Sequence, residues 1–241
     1  MKIRLDKYLT DMGAGTRSGI KKEIRAGNVL VNGQVQKRPE VKVDTEEDTV
    51  TLDGQAVAYA AFEYYMLNKP AGVVSATSDK KETTVVDLIR ERKRRDLFPV
   101  GRLDKDTEGL LILTNDGGLS HRLLSPSKHV DKVYFAVTDG PVTEEEVRRF
   151  AEGVDIGDDA PTLPAHLVIE SSGEHSRIRL TICEGRYHQV KRMFAAVGRN
   201  VLYLKRIRMG GLALDERLAP GEYRRLTEEE VERLCSQEKR L

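Results

Sequence analysis

The sequence contains no tryptophan and only two cysteines, Cys183 and Cys235. The cysteines form no Cys-x-x-Cys pair and no Cys/His cluster, so they offer neither a disulfide framework nor a zinc site. No apolar run approaches the roughly 20 residues that a membrane helix needs, and no signal peptide opens the chain. From these absences we expect a soluble, cytoplasmic protein with no membrane segment and no metal.

The formal charge of +1 conceals a strong segregation of charge along the chain. Residues 1–38 hold nine Lys or Arg against three acids, whereas residues 39–63 hold seven acids against one Lys. A second basic block, residues 183–209, has seven Lys or Arg and one Glu. Such segregation favours a polyanionic partner bound through its phosphates, although the solvated faces of ordinary helices give the same pattern.

The first 60 residues read as a small module of one helix and a hairpin. The stretch TRSGIKKEIRAG predicts a short basic helix that begins at Thr16 or Ser18 and ends at Gly27. VLVNGQVQ then predicts a hairpin about Asn-Gly, and TVTLDGQAV predicts a second hairpin that closes the unit near residue 58. We therefore expect one domain at 1–60 and a second at 61–241.

The remainder of the chain alternates strands and helices. Capping boxes mark two helix starts, Thr143 with Glu146 and Thr227 with Glu230. Some consecutive strands are joined without a helix, which favours a mixed, largely antiparallel sheet with helices packed on it, an α+β fold. The predicted strands are 64–68, 110–114, 133–138, 166–170, 177–183 and 201–209, and the predicted helices are 84–94, 118–124, 143–152, 188–197 and 227–235.

The stretch GRLDKDTEGLLILTNDG, residues 101–117, packs four carboxylates around four consecutive aliphatic residues. The aliphatic run predicts a strand buried on both faces, which puts residues 102–108 in the loop that feeds it. Asp106 and Glu108 suit caps or surface pairs, and Asp116 suits a turn. Asp104 is the candidate for chemistry, against the alternative of a structural loop carboxylate.

The stretch EGRYHQVKRMFAAVG, residues 184–198, predicts a helix whose buried stripe recurs at i, i+3, i+4 and i+7. Lys191 lies at the edge of that stripe, where it can reach a cleft and keep a carboxylate ionised. A solvated helix face is the alternative. His188 flanks the same stripe and is equally compatible with a surface or capping role.

The stretch DKVYFAVTD, residues 131–139, alternates two sets of side chains. We expect Val133, Phe135 and Val137 to face the core, so that Tyr134 projects from an open sheet face. There it can stack on a base and use its hydroxyl for proton transfer, although a surface tyrosine without such a role fits the pattern too.

Together these motifs resemble the pseudouridine synthases of the RsuA/RluA superfamily. GRLDKDTEGLLILTNDG resembles the family signature, and Lys132-x-Tyr134 and GRYHQVKRM resemble its next two motifs. RLDKYLTDMGAGTRSGIKKEIRAGNVLVNG resembles the small RNA-binding domain of small-subunit ribosomal protein four, with Thr16 where that domain usually has Ser. HQVKRMFAAVG and GGLALDERLAPGEYRRLT are most similar to the small-subunit branch.

The resemblance implies a role for individual residues. It makes Asp104 the essential aspartate, Tyr134 the tyrosine that stacks on the target base, and Lys191 the basic partner of Asp104. It also implies substrate contacts, with Arg102 helping to extrude the uridine. The implied substrate-binding residues are Arg102, His188 and Arg192, and the implied RNA-binding residues of the first domain are Arg4, Lys7, Arg17, Lys21, Lys22 and Arg25.

The resemblance further implies conversion of one uridine of 16S ribosomal RNA to pseudouridine, without a cofactor, by a monomer acting on a partly assembled small subunit. The carboxylate can act as nucleophile or as base; the residues do not decide which. The alternatives are a large-subunit (23S) rRNA synthase of the same superfamily and a non-catalytic RNA-binding assembly protein. A glycoside hydrolase needs two acids across its substrate, and the absence of Trp counts against a sugar cleft.

Overall fold

The structure, a computed structural model, describes residues 1–235. The described chain divides into two compact units: the first joins residues 1–63 to residues 90–97, and the second holds residues 64–89 and 98–235. Within residues 1–235, no helix is long and apolar enough to cross a membrane.

The first unit packs two helices against short antiparallel strands. Thr16 caps the second helix by accepting the N–H of Gly19, and Gly27 ends it in the left-handed conformation, as the sequence predicts. Both predicted hairpins are present, in a four-stranded sheet of order β3-β2-β5-β6. The elements are β1 Lys2–Arg4, α1 Leu5–Asp11, α2 Arg17–Ala26, β2 Val29–Val31, β3 Gln34–Val35, β4 Lys42–Asp44, β5 Val50–Leu52 and β6 Gln55–Ala56.

Helix α1 is absent from the sequence-based prediction, and its first turn contains a buried acid. The side chain of Asp6 is fully buried. Arg4 pairs with both carboxylate oxygens, at 2.9 and 2.8 Å. This bidentate hydrogen bonding with Arg4 holds the pKa of Asp6 below its ordinary value. The pair fixes the entry into α1, whose Leu5 and Leu9 lie in the unit's core.

The second unit is built on a nine-stranded sheet of order β11-β12-β10-β13-β9-β7-β15, with β14 and β8 paired at its side. Only the β13–β9 pair is parallel among these strands. The fold is therefore α+β with a mixed, mainly antiparallel sheet, as predicted. Its elements are β7 Tyr64–Lys69, β8 Phe98–Pro99, β9 Glu108–Thr114, α3 Gly117–Leu124, β10 Lys132–Asp139, α4 Glu144–Glu152, β11 His166–Ser171, β12 His175–Ile182, α5 Gln189–Ala195, β13 Val201–Met209, β14 Leu212–Ala213, β15 Tyr223–Arg225 and α6 Glu228–Cys235.

Strand β9 is buried on both faces, as the aliphatic run predicts: Leu110, Leu111, Ile112 and Leu113 are each 0% exposed. It begins with a close approach to β13. A Cβ on Gly109 would lie 2.2 Å from the carbonyl oxygen of Arg206, and Gly109 has φ +100°. Only glycine fits this crossing, which sets where the loop before β9 joins the sheet.

The predicted helix starts at Thr143 and Thr227 are confirmed. At each, the glutamate three residues on accepts the cap's backbone N–H. The predicted helix at 84–94 is wrong. Thr84 donates from its N–H and its hydroxyl to the carboxylate of Asp87, and the backbone bonds there link residues three apart. This turn competes with helix formation, and the β-branched residues 83–86, TTVV, which overlap the turn, lower the helix propensity further.

Strand β10 corrects the expected orientation of Tyr134. The buried face carries Tyr134 and Ala136, at 8% and 0% exposure, whereas Val133, Phe135 and Val137 are only half-buried on the other face. Phe135 packs edge-on against Tyr203, and the guanidinium of Arg177 lies 5.3 Å above its ring. Alternation alone predicted the wrong face because both faces carry apolar side chains.

Candidate active site

An open cleft of about 830 Å³ lies in the second unit, where the loop before β9 meets β10, β13 and the start of α5. Five of the side chains singled out from the sequence line it: Arg102, Asp104, Tyr134, His188 and Lys191. They come from segments far apart in sequence, and the sheet brings them together. This convergence makes the cleft the candidate active site.

The loop that carries Asp104 is fixed by hydrogen bonds to its backbone. Ser75 clamps Leu103 on both sides, since its Oγ accepts the Leu103 N–H at 3.1 Å and donates to the Leu103 carbonyl at 2.8 Å. The buried ammonium of Lys69 donates to the carbonyls of Lys105 and Thr107, at 3.2 and 2.8 Å. The carboxylate is therefore presented from a rigid backbone, as a preorganised reactive group requires.

The carboxylate of Asp104 has two basic neighbours and a quarter of its side chain exposed. Its Oδ2 lies 3.3 Å from Nζ of Lys191, and its Oδ1 lies 3.4 Å from Nε2 of His188. Asp104 is therefore open to a ligand on one side and bounded by nitrogen donors on the other. The predicted neighbourhood of Asp104 and Lys191 is present.

Lys191 is shared with a second acid, which the sequence did not suggest. Its Nζ donates to Oδ1 of Asp106 at 2.6 Å, shorter than its contact with Asp104. This hydrogen bond lowers the pKa of Asp106. Burial alone would lower the pKa of Lys191, but the hydrogen bond with Asp106 and the charge of Asp104 raise it above its ordinary value. Lys191 therefore stays a cation next to Asp104.

The turn before α5 holds His188 and Lys191 at the cleft. Buried Gln189 ties this turn together: its amide oxygen accepts the Arg186 N–H at 2.9 Å, and its amide nitrogen donates to Glu184 at 2.8 Å. His188 adopts a left-handed conformation, φ 48°, at the start of the helix. Its ring stacks on that of Tyr187, 3.8 Å away, and Tyr187 is 68% exposed.

Tyr134 lies on the buried face of β10 and still lines the cleft. Its register partners are Leu180 on β12 and Arg206 on β13. Side chains directly opposite each other on neighbouring strands point to the same face, so Arg206 accompanies Tyr134 on the floor of the cleft.

The two arginines predicted to bind substrate have different surroundings. Arg102 is exposed and lines the cleft. The structure does not bring Arg192 there. Its guanidinium pairs with Asp158 and donates to the carbonyls of Ile156 and Tyr187. These bonds brace the turn around Tyr187, and Arg192 does not line the cleft.

Three buried cations near the site were not among the predicted site residues. Lys69 and Lys132 are 0% and 6% exposed, and burial lowers the pKa of each to about 8. Arg206 is 2% exposed and lines the cleft with Lys132. A Lys or Arg inside a strand gives no sequence signal of burial, because such residues are usually exposed.

The basic residues predicted to bind RNA lie in the first unit. Arg17, Lys22 and Arg25 are exposed on α2, and Ile20 and Ile24 of the same helix are buried. The other three have acidic neighbours: Arg4 and Lys21 lie near Asp6, at 2.8 and 4.0 Å, and Lys7 pairs with Asp11 at 2.7 Å. Across residues 1–235, no group of three or more His, Cys, Asp or Glu side chains is arranged to hold a metal ion.

Comparison with known protein families gives two matches. Residues 63–196 match the family model described as RNA pseudouridylate synthase. Residues 3–50 match the S4 domain.

Relatives match nearly the full chain. The chain is 49% identical over 231 residues to "Uncharacterized RNA pseudouridine synthase YtzG" of Bacillus subtilis (strain 168), covering 95% of this chain and 97% of that protein. It is 43% identical to ribosomal small subunit pseudouridine synthase A of Escherichia coli (strain K12), covering 95% and 98%. A crystal structure of a pseudouridylate synthase superposes with a TM-score of 0.68 at 40% identity, covering 96% of this chain and 99% of that one.

Proposed function

Because the chain belongs to the RNA pseudouridylate synthase family, we propose that it isomerises one uridine of small-subunit (16S) ribosomal RNA to pseudouridine, with Asp104 as the catalytic carboxylate. The observation that carries the assignment of the site is the convergence of Asp104, Tyr134 and Lys191 on one cleft.

The residue types suit the steps of this reaction. The C1′–N1 bond of the uridine breaks, the uracil turns, and a C1′–C5 bond forms; the C5 proton then leaves and N1 takes up a proton. Asp104 attacks as nucleophile or removes a sugar proton, and either role needs an ionised carboxylate. Lys191, held as a cation, lies 3.3 Å from the carboxylate. Atoms and electrons balance within the nucleotide, so we propose that no cofactor takes part.

Tyr134 is proposed to stack on the target base and to accept the C5 proton in the last step, directly or through water. The uridine must first leave its stack to enter the cleft. Arg102, exposed at the cleft, is proposed to contact the RNA that the uridine vacates. His188, 3.4 Å from Asp104, is proposed to contact the substrate next to the carboxylate.

The two units are proposed to divide the work, with residues 1 to about 60 anchoring RNA and residues 61–241 carrying out the isomerisation. The exposed cations of α2, Arg17, Lys22 and Arg25, support the anchoring role, because phosphate neutralisation dominates RNA affinity. The choice of small-subunit RNA is supported by relatives named ribosomal small subunit pseudouridine synthase A, at 43 to 45% identity over 95% of the chain.

A glycoside hydrolase is less compatible with the two neighbouring acids. Such an enzyme needs a proton donor with a raised pKa on one side of the bond and a carboxylate on the other. Asp104 and Asp106 contact the same ammonium group, and the hydrogen bond with Lys191 lowers the pKa of Asp106. Asp106 is therefore a poor proton donor.

Pseudouridine mapping tests the proposal. Ribosomal RNA from cells that lack the protein should miss one pseudouridine in 16S RNA. The purified protein should restore it as a monomer, and Asp104→Asn should bind RNA without restoring it. Supplying naked 16S RNA and partly assembled subunits in parallel identifies the substrate; we expect the assembly intermediate to react faster. A missing site in 23S RNA would favour the large-subunit alternative, and full activity of Asp104→Asn would refute the catalytic assignment.

A further inference from the structure

Two buried cations, Lys132 and Arg206, lie on the floor of the cleft. They are 6% and 2% exposed, and both line the cleft. Nζ of Lys132 donates to the carbonyl of Val130 at 2.8 Å, and Nε of Arg206 donates to the carbonyl of Leu110 at 2.8 Å. Within residues 1–235, neither side chain forms an ion pair. The positive charges of Lys132 and Arg206, which repel each other, are therefore both buried at the same site.

Arg206 also carries a donor that the contact with Leu110 does not use. Its Nη2 is buried and has no hydrogen-bond partner among the described residues. A buried charged donor without a hydrogen-bond acceptor destabilises the folded protein. We therefore expect a bound ligand to supply the missing acceptor. The cross-strand hydrogen bond to Leu110 uses the Nε donor of Arg206, but it does not use Nη2.

The position of Arg206 indicates which part of a nucleotide it meets. Arg206 and Tyr134 are register partners on β13 and β10, so their side chains leave the sheet on the same face, and both line the cleft. Exposed Arg102 is the better placed group for a phosphate at the open side of the cleft. Because Arg206 lies on the floor of the cleft, on the same face as Tyr134, we expect it to meet the base rather than the phosphate.

The reaction develops a negative charge on the uracil, which these two cations can stabilise. When the C1′–N1 bond breaks, its electron pair stays with the uracil, and the charge spreads over N1 and the carbonyl oxygens O2 and O4. The charge disappears when C5 bonds to C1′; the C5 proton then leaves and N1 takes up a proton, so the product is neutral. Preorganised hydrogen-bond donors accelerate a chemical step when they stabilise a charge that is present only in the transition state or intermediate.

We propose that Arg206, supported by Lys132, binds a carbonyl edge of the detached uracil and stabilises its negative charge while the ring turns. The inference rests on the proposed function. It assigns a catalytic contact to Arg206, beyond the roles proposed for Asp104, Tyr134 and Lys191. The stabilised species is an anion, so the floor acts on the rate of the chemical step more than on RNA affinity.

Single-turnover kinetics test the inference. Arg206→Gln should lower the rate at saturating RNA about 100-fold, as the loss of one such donor typically does, and leave RNA affinity within about twofold. Arg206→Lys should recover part of the rate. Lys205→Gln is the matched control, since it removes a charge from the adjacent position of β13, and it should keep the wild-type rate. Equal rates for Arg206→Gln and wild type would overturn the proposal.

A binding measurement separates this inference from the function on which it rests. The 5-nitrouracil anion, carrying its charge on the ring and its carbonyl oxygens, should bind the wild-type protein at least about tenfold more tightly than neutral uracil, and Arg206→Lys should reduce that preference. Equal affinities in the wild type would overturn the inference whether or not a variant folds. Absence of pseudouridine formation by the wild type would instead overturn the function, while anion binding would still report on the floor.

Discussion

Lys191 holds Asp104 from the start of α5, with its Nζ 3.3 Å from Oδ2 of the carboxylate. The contact joins a loop residue to a helix residue 87 positions later in the chain. It makes the position of the cation beside Asp104 dependent on α5, and therefore on the buried turn that begins the helix.

This pairing predicts unequal effects of two substitutions at the same position. Lys191→Met removes the cation, so we expect it to lower the rate of pseudouridine formation by at least about tenfold more than Lys191→Arg, which keeps the charge. Asp106→Asn should cost only a few-fold, because Asp106 is 73% exposed and shares Lys191 without being the proposed catalytic group. Single-turnover rates measure all three. Equal loss in Lys191→Met and Lys191→Arg would argue against the ion pair.

Buried Lys69 predicts a change of stability with pH. Its pKa is about 8 in the folded protein, against 10.5 for an ordinary lysine. Between these values the unfolded chain keeps the proton that the folded protein has lost, so stability rises with pH in this window. Relative to Lys69→Met, the free energy of unfolding of the wild type should increase by roughly 2 kcal/mol from pH 7 to pH 10. Urea denaturation of both proteins measures the difference, and a constant difference would contradict the prediction.

The crossing at Gly109 predicts a large loss of stability from one methyl group. In Gly109→Ala the new Cβ would lie 2.2 Å from the backbone oxygen of Arg206, at a φ that alanine rarely adopts. We expect destabilisation of about 3 kcal/mol or more, with loss of activity, because β9 and β13 must separate. Gly117→Ala is the control, since no atom lies within 4 Å of its Cβ and helix α3 favours alanine. Thermal unfolding of the two variants should differ clearly.

The exposed cations of α2 predict a salt-dependent share of RNA affinity. Replacing Arg17, Lys22 and Arg25 by Gln should weaken RNA binding and reduce the slope of log affinity against log salt by about 0.7–0.9 for each phosphate that is no longer neutralised. The matched variant replaces three exposed cations outside α2, Lys2, Lys37 and Arg38. Titrations at several salt concentrations compare them. An identical slope in both triple variants would remove α2 from the proposed RNA surface.

Patterns confined to one segment predicted much of the fold. The Asn-Gly and Asp-Gly hairpins, the capping boxes and the aliphatic run of β9 each carry their structural cause within a few residues. The helix predicted at 84–94 failed because Asp87 offers Thr84 a local alternative, and α1 was missed because a buried Asp6 is unexpected without its Arg4 partner.

The sequence predicted the site residues whose side-chain type and motif indicate a chemical role. It did not predict the features that depend on tertiary contacts. Asp104 and Lys191 were singled out from their motifs, and the cleft brings them together. The buried setting of Tyr134, the bonds that direct Arg192 to Asp158, and the burial of Arg206 depend on neighbouring strands and turns that no local pattern encodes. Charged residues in strands are the positions where sequence reasoning is weakest.

Residues 90–97 belong to the first unit, although they follow residues 64–89 of the second. This arrangement affects both limited proteolysis and the exchange of domains between genes. The chain passes from one unit to the other three times. A single protease cut after residue 63 would leave residues 90–97 behind on the catalytic fragment, and a gene exchange with one crossover would split the amino-terminal unit. To transfer the complete first unit alone, the exchange would have to move two separate coding segments, those for residues 1–63 and 90–97.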